Sequence, residues 1–270
     1  MTPTQQDIIR TLGVVPHIDV AQQIALRVDF LQHHVTQAQK TGLLIAVSGG
    51  VDSAVAAALC FRATQALCAQ TGQDYRTIAL FMPYGEQSDI EDSRAVVRAL
   101  GIDHAIEMHI QEAVDEVATE CEYALKRLGS PRHLSRLAKG NTKARMRMVM
   151  QYALAQELNV LVVGTDHASE AITGFYTKYG DGAVDLTPLS SLNKRQVVLL
   201  AEALGVPHHV CTKAPTAGLW PGQTDEDELG ITYAQNSDYL EGKLIDPLIA
   251  STLERMYVAT AHKRNPIPGI

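Results

Sequence analysis

The chain's 270 residues carry 23 Lys plus Arg against 30 Asp plus Glu, a net charge of −7 that argues against a general affinity for nucleic acid. With 46% hydrophobic residues it is long and apolar enough for one full core, and residues 1–270 are expected to form a single domain. No apolar run approaches the roughly 18 residues that cross a bilayer. Met1 to Arg10 lacks the cationic start and apolar centre of a secretory signal, so a cytoplasmic protein with no membrane partner is expected.

Val20, Ile24, Val28, Leu31 and Val35 recur at three- and four-residue steps and predict an amphipathic helix before the first strand. Leu43 to Val47 reads as a buried parallel strand and Ala54 to Cys60 as a buried helix, so Ser48-Gly49-Gly50-Val51-Asp52-Ser53 lies on a strand-to-helix turn. There the first N–H groups of the helix have no intrahelical partner and the helix dipole adds partial positive charge, which suits phosphate. The glycines let the backbone approach closely, Ser48 and Ser53 offer hydroxyl donors, and Asp52 offers a hard oxygen ligand for magnesium. The segment has neither the lysine of Gly-x-x-x-x-Gly-Lys-Ser/Thr nor the spacing of Gly-x-Gly-x-x-Gly.

Thr77 to Met82 is the second predicted strand, closed by Pro83-Tyr84-Gly85; Ile90 to Leu100 reads as helix and Ala105 to Ile110 as a third strand. Helices are predicted over Ala113 to Leu128 and Lys143 to Leu158, joined near Gly129-Ser130-Pro131, before a fourth strand at Val160 to Val163. Lys139, Lys143 and Arg147 share one helical face if that helix begins early enough, where they meet either a dinucleotide's phosphates or only solvent. The alternation predicts an α/β fold, a doubly wound parallel sheet flanked by helices and Rossmann-like.

Gly164-Thr165-Asp166-His167-Ala168-Ser169-Glu170 follows the fourth strand as the first loop follows the first strand, so both are expected at the carboxyl edge of the sheet. Glu170 offers a second carboxylate for the metal at Asp52, or else simply caps a helix. Helices are predicted at Lys194 to Leu204, Tyr233 to Leu240 and Pro247 to His262, and Thr212 to Gly230 reads as a surface loop, a lid on one reading. Cys60, Cys68, Cys121 and Cys211 form no Cys-x-x-Cys pair, so neither disulfides nor zinc is expected, and His33-His34 and His208-His209 read as surface histidines.

The first loop resembles the pyrophosphate-binding loop of the N-type ATP pyrophosphatases. With Ile172 to Gly182 and Leu192-Asn193-Lys194-Arg195-Gln196 added, almost the whole chain resembles the ammonia-dependent NAD synthetases. That resemblance implies an adenine nucleotide α-hydrolase-like fold and a ligase that adenylates deamido-NAD with ATP, then lets ammonia displace AMP. By the family's pattern Ser48, Gly49, Gly50, Val51, Asp52 and Ser53 hold the pyrophosphate, Thr165, Lys194 and Thr216 contact ATP, and Asp52 and Glu170 hold magnesium. Lys139, Lys178, Asp185, His262 and Lys263 match contacts to deamido-NAD. Asp52, Lys194 and Asp185 are the expected catalytic residues, Asp185 by orienting or deprotonating the incoming nitrogen. Phe81 stands where related sequences often have arginine, and Gly218 where they often have aspartate. A homodimer is expected, with the first amphipathic helix supplying an apolar face. The nitrogen donor is expected to be free ammonia, because too few residues precede Ser48 for an amidase domain. The rivals are an RNA-thiolating pyrophosphatase, which tends to need reactive cysteine pairs and a basic surface, and a nucleotide-sensing module without turnover.

Overall fold

The computed structural model describes residues 3–87, 89–130, 132–213 and 225–269. Helices α1 (Gln5–Leu12) and α2 (Val20–Gln37) lead into β1 (Gly42–Ala46), α3 (Val51–Thr71), β2 (Arg76–Phe81), α4 (Ile90–Leu100) and β3 (His104–Glu107). Then come α5 (Gln111–Arg127), α6 (Arg136–Leu158), β4 (Leu161–Val163), α7 (Ala168–Thr173), α8 (Lys194–Leu204) and α9 (His208–Cys211). The chain closes with α10 (Asp225–Leu229), α11 (Tyr233–Leu240), α12 (Pro247–Ala259) and α13 (Ala261–Arg264).

The four strands pair in parallel in the order β3-β2-β1-β4. Leu43, Ile45 and Val47 pack with α2, α3 and α8 on one face, while Leu44 and Ala46 pack with α5 and α6 on the other. This two-residue alternation buries the sheet on both sides, as a doubly wound fold requires. A third apolar cluster joins Ile8 of α1, Ile172 of α7, Tyr239 of α11 and Leu253 of α12. Because the chain moves outward from β1 to β2 and β3 and then returns to β4 on the other side of β1, the strand order reverses between β1 and β4. Such a reversal places a ligand crevice at the carboxyl ends of those two strands as a general rule.

Gly42 enters β1 opposite Arg76, and a Cβ there would lie 2.0 Å from the Arg76 carbonyl oxygen. Backbone cannot swing aside as a side chain can, so Gly42→Ala is expected to lower stability by about 1–3 kcal/mol. The check is thermal unfolding, where an unchanged midpoint would contradict this reading of the register.

Several elements differ from the sequence reading. The helix expected over Ala54 to Cys60 is α3, 21 residues ending at the left-handed Gly72. By length and composition α3 is apolar enough to cross a membrane, against the expectation that no run approaches this, but 67% of its apolar window is buried and it is the core helix of the sheet's first face. The helix expected from Lys143 begins at Arg136, capped by Ser135, so Lys139, Lys143 and Arg147 do share one helix. The expected apolar strand Ala105 to Ile110 is a shorter, exposed edge strand. The predicted apolar face of α2 packs within the chain: Ile24, Leu31 and Val35 are buried in the core, so this face of the helix is not free for a second copy.

Candidate active site

The turn after β1 delivers Ser48 to Ser53 into the crevice. Gly49 takes φ +85°, and a Cβ there would press on the start of α4 at Asp89 O, Asp92 and Ser93. Gly50 is the N-cap of α3 and contributes no side-chain cap bond, so the first N–H groups of this helix face the crevice with only their dipole. Ser53 Oγ accepts from Ser48 N at 3.1 Å and donates to Gly50 O at 2.9 Å, which fixes the turn from within.

The loop after β4 reaches the same place. Its helix α7 starts with a capping box in which His167 Nδ1 accepts from Glu170 N and Glu170 Oε2 accepts from His167 N, both at 3.3 Å. Helix α8 starts the same way with Asn193 and Gln196. The two helix starts are laced together, since Ala168 N donates to Leu192 O at 2.8 Å and Lys194 N donates to Ser169 Oγ at 3.1 Å. This lacing aims the Lys194 side chain back across the crevice, where Nζ meets Asp52 Oδ2 at 2.6 Å and lies 5.0 Å from the Tyr233 ring centre.

Asp52, Lys194 and Glu170, read from three separate segments, are therefore brought together, with His167 between the two carboxylates at 3.4 Å from Asp52 Oδ1 and 3.8 Å from Glu170 Oε2. One ligand atom from each of Asp52, His167 and Glu170 falls within 4.8 Å of the others. Burial alone would lift the Asp52 carboxyl, but Lys194 and His167 hold it well below the ordinary carboxylate range. Burial pushes Glu170 up to about 8, with Asp52 and Asp166 adding to the shift. Asp166 and Asp181 are raised too, each first by burial, and Asp181 and Asp52 repel the charge on Asp166. Four acids facing Lys194 and Lys263 form a site that is short of positive charge. Among the described residues Asp52 Oδ1 is buried without a hydrogen-bond partner, so this donor set can coordinate a metal ion. Glu170 does cap α7, but in a position that leaves it beside Asp52.

Further predicted residues form a second group. Lys263 Nζ donates to Gly174 O and Tyr176 O, both at 2.6 Å, and Lys178 Nζ donates to His262 O at 2.7 Å. Thr177 ties this segment to Asn141 of α6 at 2.8 Å and to Asp181 Oδ1 at 2.9 Å, which sets Asp181 near Lys263. Lys139 stands apart on α6, paired with Asp115 at 2.8 Å; Lys143 lies over the Tyr84 ring at 3.9 Å, and Arg147 donates to Met82 O at 3.0 Å. These three cations thus face the segment after β2 rather than open solvent. Asp185 sits beside β4, accepting from Val162 N at 2.8 Å and from Tyr152 Oη at 3.1 Å. Thr165 lies between β4 and α7. Thr216 and the 217–224 stretch lie outside the described residues.

Sequence reasoning passed over His167, Asp166, Asp181 and Tyr233. The first three lie inside segments already singled out, and a His three residues before Glu at a helix start is a legible capping signal. Tyr233 gives no local signal, because its place against Lys194 is set by the packing of α11.

The NAD synthase family profile matches residues 23–266. The NH(3)-dependent NAD(+) synthetase of Exiguobacterium sibiricum is 44% identical over 264 residues, covering 97% of this chain and 96% of that protein. Among solved structures, NAD+ synthetase from Burkholderia pseudomallei superposes with a TM-score of 0.81 at 35% identity, covering 96% of this chain and 95% of that one. NMN synthetase from Francisella tularensis superposes at 0.82 with 34% identity, covering 94% and 99%. A match that runs through both loops, the Lys194 segment and the C-terminal helices places this chain in the NAD synthase family.

Proposed function

We propose that the protein is a ligase that makes NAD from deamido-NAD, ATP and ammonia, releasing AMP and pyrophosphate. The observation that carries this reading is the meeting of Asp52, Lys194 and Glu170 at the mouth of an anion-binding helix start. A carboxylate is a poor electrophile until one oxygen carries a good leaving group. In the first step a carboxylate oxygen of deamido-NAD attacks the α-phosphorus of ATP, and the P–O bond to pyrophosphate breaks. In the second, ammonia attacks the acyl carbon, AMP leaves with the bonding electrons, and the nitrogen sheds a proton. The N–H groups of α3, the hydroxyls of Ser48 and Ser53, and Lys194 bind and offset the phosphate charge. Thr165 and Thr216 complete the ATP contacts in this reading, while Lys139, Lys178, Asp185, His262 and Lys263 bind deamido-NAD. Magnesium is the cation this site would take, held by the oxygens of Asp52 and Glu170; when bound, it offsets charge on the phosphates during adenylation.

The test is product analysis with magnesium and ammonium, supplying deamido-NAD or its mononucleotide counterpart. AMP and pyrophosphate are expected, in amounts equal to NAD and with deamido-NAD preferred. ADP and phosphate as products would sink the reading, and turnover confined to the mononucleotide would redirect it toward the NMN synthetase activity named for the Francisella structure.

A homodimer remains part of this proposal, on a surface other than α2. Helices α5 and α6 leave Val117, Tyr123, Leu137 and Val149 exposed, an apolar set that a second copy would cover. Light scattering that finds an active monomer would refute it.

A further inference from the structure

His167 is the residue of this site that the scheme above leaves without a role. Its ring is fully buried, yet among the described residues neither Nε2 nor Asp52 Oδ1 has a hydrogen-bond partner. These two atoms lie 3.4 Å apart, and Glu170 Oε2 lies 3.8 Å from the same nitrogen. The other ring nitrogen, Nδ1, accepts the N–H of Glu170 at 3.3 Å. A nitrogen that accepts carries no proton, so the proton of the ring is assigned to Nε2. A protonated Nε2 is a donor and has no lone pair to give a cation, although its position among the three clustered side chains looks like that of a ligand.

We propose that His167 is a positioning residue that fixes the spacing of Asp52 and Glu170 for a divalent cation without coordinating it. One ring acts on both carboxylates. Through Nδ1 it locks the first turn of α7 and with it the backbone of Glu170; Nε2 lies 3.4 Å from Asp52 Oδ1 and 3.8 Å from Glu170 Oε2, so a small shift lets its N–H donate to either carboxylate. An ionised carboxylate has about four lone-pair positions. Lys194 occupies one on Asp52 Oδ2, and a bond from His167 would occupy one on Oδ1, which leaves room for a cation on the same group. Donors behind metal-binding carboxylates orient them and tune their affinity. Helix α8 shows that capping alone does not need an imidazole, because Asn193 Oδ1 accepts from Gln196 N at 3.0 Å in the same kind of box.

That parallel supplies the test, which rests on the metal reading of Asp52 and Glu170. His167→Asn keeps the cap and loses the reach toward Asp52; His167→Gln extends an amide N–H toward Asp52. Binding of Mn2+ together with a non-hydrolysable ATP analogue, followed by electron paramagnetic resonance, is expected to weaken about 10–100-fold in His167→Asn and less in His167→Gln. Pulsed resonance on the wild-type complex is expected to show no directly bonded imidazole nitrogen. A strong nitrogen coupling would make His167 a ligand and overturn the proposal, and so would wild-type Mn2+ affinity in His167→Asn. A wild-type protein that binds no Mn2+ would overturn both this role and the metal reading, whereas unchanged affinity in the variant would overturn the role alone. If the Asn variant does not fold, the Gln variant and the wild-type spectrum decide: affinity in His167→Gln above that of wild type, or a bonded nitrogen, rejects the role.

Discussion

Lys194→Met is expected to lose both turnover and stability, and the two losses should separate when Asp52 is neutralised as well. Lys194 is buried, its amine meets Asp52 at 2.6 Å, and its charge also acts on Glu170. Breaking a buried pair by removing one partner typically costs about 3–5 kcal/mol, because the other charge is left uncompensated. In the proposed role Lys194 offsets developing phosphate charge, and on that reading its removal should lower kcat by about 10²–10³-fold. The sign of the pH effect follows from Asp52. In the native protein its carboxyl is held below the unfolded value, so it stabilises the fold above that value and ceases to do so as pH falls through the native one. Without Lys194 the burial that raises this carboxyl is much less opposed, so the variant's deficit in melting temperature should be larger at pH 8 than at pH 5. Thermal unfolding in EDTA at the two pH values measures it. Adding Asp52→Asn should restore much of the stability, since no orphaned charge remains, and none of the turnover. Wild-type kcat in Lys194→Met would reject the assignment.

The strands that form the site were legible because parallel strands buried on two faces are nearly continuous apolar runs. Leu43 to Val47 and Thr77 to Met82 are such runs. Edge strand β3 has no such run, since all four of its residues are exposed, and its place is fixed by backbone pairing to β2. Helix α7 is six residues, too short to show a period, and α6 starts in a polar turn marked only by the Ser135 cap. The Thr4-x-x-Asp7 box that opens α1 is a local signal that marks this helix start.

The site divides in the same way. Asp52 and Glu170 could be placed from their loops, because a residue just past the carboxyl end of a parallel strand has one destination. The bond from Lys194 to Asp52 spans 142 positions, and nothing local to either residue specifies it. It depends on Ser169 and Leu192 joining two helix starts, a tertiary event that periodicity does not encode. Asp52 and Glu170 each sit at a helix start rather than free on a loop. Both lie in first helical turns with largely buried side chains, so their variants should be judged by metal affinity and stability together.

With ammonium removed, glutamine is expected to support almost no synthesis of NAD by this protein. Releasing ammonia from glutamine requires an activated nucleophile, usually a thiolate with a base or cation beside it. Among the described residues, none of the four cysteines has that setting. Cys60 is fully buried in α3, and burial drives its thiol far above the ordinary range; Cys211 is raised as well, again first by burial. Cys68 Sγ is engaged by the Tyr75 backbone, accepting from its N at 3.2 Å and donating to its O at 3.3 Å. Cys121 lies exposed on α5, in the helix layer opposite α3 and α8. The serines of the first loop bond to one another and to Gly50 O rather than to a base. Purified protein cleared of ammonium and supplied with glutamine should therefore run slower than with ammonium by a factor on the order of 10² or more, the contribution of a single positioned acid or base. Equal rates with the two donors would show that a nucleophile has been overlooked, and Cys121→Ser would be the first variant to test it. A rate that instead appears only when a second protein is added would leave the synthetase site as described and locate the glutaminase elsewhere.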